Sequence, residues 1–426
     1  MSHRKKGRRI FTRKAKNHRI FSVYHPLRTA AGTVLTLVLA AVLGFVGYHV
    51  IGPIVTRIRA EEQNPTKTPE PFFSEVAEVS GSDPLPAETT TTTSFTVTTT
   101  TSATVSTTET TTTAVQISRF GEDVTVAYLA DADALTDLDS VEAEAQRLFA
   151  EGYRAMVLPM KETGGMLNYA SANEKALGSG ASNADLLTVR EIRNAASRYN
   201  IRCIAMMSTL EDQVYPNTYL DGSYTFKEGS TRWLDNKADN GGKPWLSPFT
   251  DAAGAYLASL AEELSDGGFS PIICTDTRFP NFFDSDVERL GKKIQDKERR
   301  QNALTDLLNG ITKAAPEVCC MIDLHEAVSG NEEAFVPDKL DMEAVCIRID
   351  IRDFTEPFKA NGKRFDPTSL EFTDKVSMLA RAADAAADGK TVYPCIVSEG
   401  LTDSELETVV SLFRESGHEL ILVTPD

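Results

Sequence analysis

Histidine is scarce in this 426-residue chain. There are six, four of them before residue 50, which leaves His325 and His418 for everything that follows. Two histidines that far apart exclude a His-rich metal centre, and no metal or cofactor is expected. No Gly-x-Ser-x-Gly elbow and no Gly-x-x-x-x-Gly-Lys loop occurs, which excludes an elbow-type serine hydrolase and a P-loop nucleotide enzyme. The six cysteines never fall as Cys-x-x-Cys, so zinc-ribbon and thioredoxin-like motifs are missing too. Basic residues are rare where a nucleic-acid partner would need them. The net charge is −17, and residues 1–28 hold ten Lys/Arg with no Asp or Glu, so the remainder stands near −27. A body that acidic repels a phosphate backbone, and nucleic acid is not expected as a partner.

Charge of either sign is absent from residues 29–51, which include Val34, Leu35, Leu37, Val38, Leu39, Val42, Leu43, Phe45 and Val46. Roughly 20 such residues cross the hydrocarbon core of a bilayer. The basic head holds the amino end in the cytoplasm. A cleaved signal peptide is the rival reading, but the head is long and Gly47–Ile51 offers no Ala-x-Ala-like cleavage site. The expectation is a basic cytoplasmic tail over 1–28 and a transmembrane signal-anchor helix over 29–52. The rest then faces outward from the cell membrane as a single-pass protein. Over 53–118 apolar periodicity disappears, and 17 of the 25 residues from Thr89 to Thr113 are threonine. Such a tract cannot recover an ordering entropy of roughly 1–2 kcal/mol per residue, so a disordered Thr-rich linker is expected.

From residue 119 the pattern becomes globular. Eight apolar runs follow: Val124–Leu129, Ala155–Leu158, Cys203–Met207, Ile272–Thr275, Val318–Ile322, Ala344–Ile349, Val392–Val397 and Leu420–Val423. Amphipathic stretches separate most of them, namely Ser140–Ala150, Asp185–Tyr199, Thr250–Leu264, Gln301–Ala314, Leu370–Ala387 and Ser404–Glu415. The fifth-to-sixth connection is short of helix. Eight strands with intervening helices predict an α/β fold, a (β/α)8 TIM-type barrel over 119–426. All six cysteines fall inside the strands and read as core thiols.

Barrel chemistry sits just after each strand. The residues there are Asp131, Asp133, Lys161, Glu162, Glu211, Asp212, Asp276, Arg278, Asp323, His325, Glu326, Asp350, Asp353 and Glu399. The stretch Lys243–Asn281 carries more. It reads as a Trp-Leu-x-Pro loop, a helix stopped by Gly267 and Gly268, and a strand ending in Asp276 and Arg278. In Trp245, Leu246, Pro248, Gly268, Phe269, Arg278, Phe279 and Pro280 it resembles a bacterial family of membrane-anchored glycosyl-hydrolase-like proteins with an α-amylase-like barrel. The chain is a divergent member by this resemblance. Where the family keeps its strand-end aspartate, this chain has Thr275, and the carboxylate is Asp276, one place along. Leu158–Lys161 keeps the family's lysine without its acid, Met206 stands for an arginine, and the Met-x-Tyr-Pro-Ser-His motif is missing near residue 350.

The resemblance implies carboxylate-pair hydrolysis of glycosidic bonds. By position it assigns Asp276, after the fourth strand, and Glu326, after the fifth, with Asp323 or Glu399 in support. Because strand side chains alternate faces, Asp276 serves only if the strand ends at Thr275. Arg278, Lys161 and His325 are candidate substrate-binding groups. So are Trp233 and Trp245, the chain's only tryptophans, in the long loop Ser208–Ser247. Aromatics that merely pack this loop onto the barrel are the competing reading. Two functions stand side by side: a membrane-tethered hydrolase acting on envelope or environmental polysaccharide, and an inactive barrel that binds a surface glycan or protein. A purely structural envelope protein is the third.

Overall fold

A computed structural model describes residues 119–425, except 228, 230 and 330–336. The expected tail, membrane helix and Thr-rich linker lie outside the described residues. Among the described residues no helix is long and apolar enough to cross a membrane.

Among the described residues ten strands form: β1 Thr125–Leu129, β2 Ala155–Lys161, β3 Arg202–Ser208, β4 Ile272–Thr275, β5 Val318–Asp323, β6 Ala344–Ile349, β7 Phe358–Ala360, β8 Lys363–Phe365, β9 Thr391–Val397 and β10 Leu420–Thr424. Eight of them close a parallel barrel in the order β1-β10-β9-β6-β5-β4-β3-β2, and β7–β8 is a separate antiparallel pair. Each expected apolar run is a stave. Closure is made by β10 on β1, with Thr125 opposite Leu420 and Tyr128 opposite Val423.

The principal helices are α1 Leu138–Ala150, α2 Val189–Ser197, α3 Asp251–Asp266, α4 Lys297–Ala314, α5 Phe372–Ala386 and α6 Asp403–Glu415. Their starts are written in the sequence. Thr188 with Glu191 and Thr402 with Glu405 form reciprocal capping boxes, and Thr250 accepts from Ala253 N at the head of α3. One stripe of α3, with Tyr256, Leu257, Leu260 and Leu264, is buried on the barrel. Between β5 and β6 stands only the short helix Leu324–Ser329 before residue 330.

Two apolar layers result. Inside the barrel pack Ala127, Ala155, Val157, Ile204, Ile273, Cys319, Cys346, Cys395, Leu420 and Leu422. The larger layer lies between staves and helices. All six thiols are free and buried. Burial pushes Cys203 and Cys274 up to about 12 and Cys319 and Cys320 upward as well, while Cys346 is raised by its hydrogen bond with Cys395 and by burial.

Candidate functional site

The carboxyl ends of β2, β3 and β4 are laced together. Thr209 donates both its N–H, at 2.9 Å, and its hydroxyl, at 2.8 Å, to the carbonyl of Thr275. That grip ends β4 at Thr275. Arg278 N then donates back to Asp276 O at 2.9 Å, closing a tight turn. Asp276 takes φ of 52°, a left-handed conformation that aspartate tolerates better than most residues. The turn releases its side chain from strand alternation. Its carboxylate accepts from Ser208 Oγ at 2.7 Å and from Thr163 Oγ1 at 2.9 Å, so it lies among the ends of β2 and β3. This is the placement that a strand ending at Thr275 allows.

Arg278, half exposed, pairs with Glu211 at 2.9 Å. Glu211 holds its guanidinium above the ordinary range, with smaller contributions from Asp276 and Glu326. Those two carboxylates therefore share one cation's field. Glu326 is exposed on the helix after β5, and His325 beside it meets the Phe354 ring edge-on at 5.9 Å.

The remaining expected residues do other work. Asp323 accepts from Glu326 N at 3.1 Å and pairs with Arg348 at 3.1 Å, so both of its oxygens are engaged. Glu399 sits across the mouth, tied to Arg352 at 2.8 Å. Arg352 also binds Asp350 at 2.7 Å and holds that carboxyl below its usual value.

Three expected substrate contacts are buried side chains. Lys161 has no exposed side-chain surface: its ammonium donates to Ser208 O at 2.8 Å and stands 2.9 Å from Asp212, which is equally buried. Trp233 is buried, with Nε1 donating to Asp286 at 3.0 Å, and its ring meets Tyr224 and Phe282. Trp245 is buried with Nε1 on Asp235 at 3.2 Å. The loop's aromatics pack it onto the barrel because an indole must bury its body and find a partner for its N–H. Among the described residues the one large aromatic left well exposed is Phe283.

Ser208 and Thr163 were not anticipated. Ser208 could have been found as the last polar residue of β3, pointing inward by alternation from Ile204 and Met206. Nothing local marks Thr163. No group of three His, Cys, Asp or Glu side chains among the described residues is set to hold a metal ion.

A parallel barrel that gathers carboxylates and a guanidinium at the carboxyl ends of its strands has the layout of a barrel enzyme. Residues 134–333 match the sequence model of a family described as "Putative glycosyl hydrolase domain". The matched span includes Asp276 and Glu326 but not Glu399. No curated protein sequence matches the chain. Among solved structures, the chain is similar to a hypothetical protein from Ruminiclostridium thermocellum at 19% identity. That alignment covers 45% of this chain and 95% of the other, with TM-score 0.36. It is also similar to the β-amylase catalytic domain of Paenibacillus polymyxa, at 10% identity over 72% and 92%, TM-score 0.44. A third is the glycoside hydrolase domain of PelA from Pseudomonas aeruginosa, at 15% identity over 71% and 94%, TM-score 0.36.

Proposed function

We propose that the barrel hydrolyses glycosidic bonds of an envelope or environmental polysaccharide, with Asp276 and Glu326 as its working carboxylates. The observation that carries this reading is the turn at Asp276. It brings a carboxylate to the mouth although the family's own aspartate position is occupied by Thr275. Glu326 gives its proton to the leaving glycosidic oxygen as the bond to the anomeric carbon breaks. Asp276 attacks that carbon or takes a proton from the water that does, and one water is consumed in all. Arg278, paired with Glu211, lies in the field of both groups.

Asp276→Asn tests this directly, because it removes the charge with little change in volume. Turnover of a polysaccharide cleaved by the wild type should fall by about 100-fold or more, with folding and sugar affinity kept. Unchanged turnover rejects the role. A barrel that binds glycan without cleaving it is the second reading, favoured by Thr275 and by the engagement of both Asp323 oxygens. Under it, the wild type retains a glycan on an affinity gel and releases no reducing ends.

The reading includes tethering to the cell membrane through residues 29–52, with the barrel outside. Its support is the uncharged span behind ten basic residues. Protease added to intact cells should remove the barrel and spare residues 1–28. Survival of the barrel under that treatment rejects it.

A further inference from the structure

We propose that the buried Lys161–Asp212 pair, with Ser208 and Thr163, is a positioning unit that fixes the carboxylate of Asp276. The inference rests on the reading of Asp276 as a reacting group. The connections run outward from the pair. The Lys161 ammonium, 2.9 Å from Asp212, donates to the carbonyl of Ser208 at 2.8 Å. The hydroxyl of that same serine donates to Asp276. Thr163, the second donor, is held from the other side. Its neighbour Gly164 donates to Glu211 O at 2.7 Å and accepts from Gln213 N at 2.9 Å, so this rung of backbone bonds flanks Asp212. Gly165 has φ of 104°, and a Cβ there would stand 2.3 Å from Asp212 Oδ1. Asp212 Oδ1 further accepts from Val214 N and Tyr215 N, each at 2.9 Å. The loops after β2 and β3 therefore converge on one buried carboxylate, and Thr163 of the first loop and Ser208 at the end of β3 each donate a hydroxyl to Asp276.

A pair made only for stability would not need its ammonium on the backbone of the residue that orients Asp276. The Lys161 ammonium, with three rotatable donors, reaches both Asp212 Oδ2 and Ser208 O, which ties the buried charge to the backbone that carries Ser208. None of the four residues touches substrate in this scheme; they hold the one that does.

The test uses the full chain. Ser208→Ala should lower kcat about tenfold or more, with KM within a factor of two and an unchanged melting temperature. Ser208→Thr should restore most of the loss. The double variant Lys161→Met/Asp212→Leu keeps the volume filled and leaves no unpaired charge, so it should fold and still lose kcat. Wild-type kcat in Ser208→Ala, when Asp276→Asn is inactive, overturns the positioning role and leaves the function intact. If Asp276→Asn also turns over normally, the functional reading has failed. The positioning claim is then decided by the crystal structure of Ser208→Ala/Thr163→Val. A displaced Asp276 carboxylate supports it, and an unmoved one overturns it.

Discussion

The two halves of the barrel mouth use ion pairs in opposite media. On the side of β2, β3 and β4, Lys161 and Asp212 meet with no exposed side-chain surface. On the side of β6 and β9, Arg352 is 49% exposed and clasps Asp350 and the still more open Glu399. Desolvating two charges cancels much of their attraction, so the buried pair contributes fixed geometry more than stability. The exposed clasp keeps its hydration, is screened by salt, and can exchange partners. One side of the mouth is rigid and the other adjustable. On the proposed reading, the first side holds the reacting group and the second forms the rim that meets the polymer.

Asp212→Asn is the harshest way to break this contrast. It leaves the Lys161 charge buried without a counter-ion, and a loss of about 3–5 kcal/mol is expected in urea unfolding. Gly165→Ala comes next. A left-handed φ and a methyl group driven into Asp212 should cost about 1–3 kcal/mol, read from the same titration. Asp323→Ala removes a backbone cap at Glu326 N and a partly exposed pair with Arg348, so about 1 kcal/mol is expected.

Arg352→Ala should have the smallest effect, no more than about 1 kcal/mol at neutral pH. Its pH dependence sharpens the comparison. Arg352 lowers the folded-state value of Asp350, so the pair's contribution is present above the ordinary carboxylate value. It is lost as pH falls through the lowered one. Wild type and Arg352→Ala should therefore differ by a constant amount at neutral pH and converge in acid. A difference that grows on acidification contradicts the assignment.

The barrel was legible in the sequence because its staves are continuous apolar runs and their helices carry caps such as Thr402 with Glu405. Inward and outward sides of a buried stave are both apolar, so pattern alone locates strands well. The hairpin β7–β8 was missed although Asn361 and Gly362, both at positive φ, stand between Phe358–Ala360 and Lys363–Phe365 as a hairpin signal should. Short strands of three residues carry too little alternation to register. At the site, Asp276 was found from its position after β4. The hydroxyls that hold it come from residues 68 and 113 positions earlier, a pairing that only the closed sheet creates. The burial of the two tryptophans was hidden for a related reason: composition marks them as large and amphipathic without saying which neighbours cover them.

The thiols inside the barrel give it a built-in clock. Cys319, Cys346 and Cys395 are sealed among the inner faces of β5, β6 and β9; burial keeps Cys319 in the unreactive protonated form, and the hydrogen bond with Cys395 together with burial does the same for Cys346. An alkylating reagent can reach them only when staves part. Their labelling rate then counts opening events of the whole barrel, whereas motion of the mouth loops passes unseen. Mass spectrometry of alkylated Cys346 would time the scaffold separately from the site that it carries.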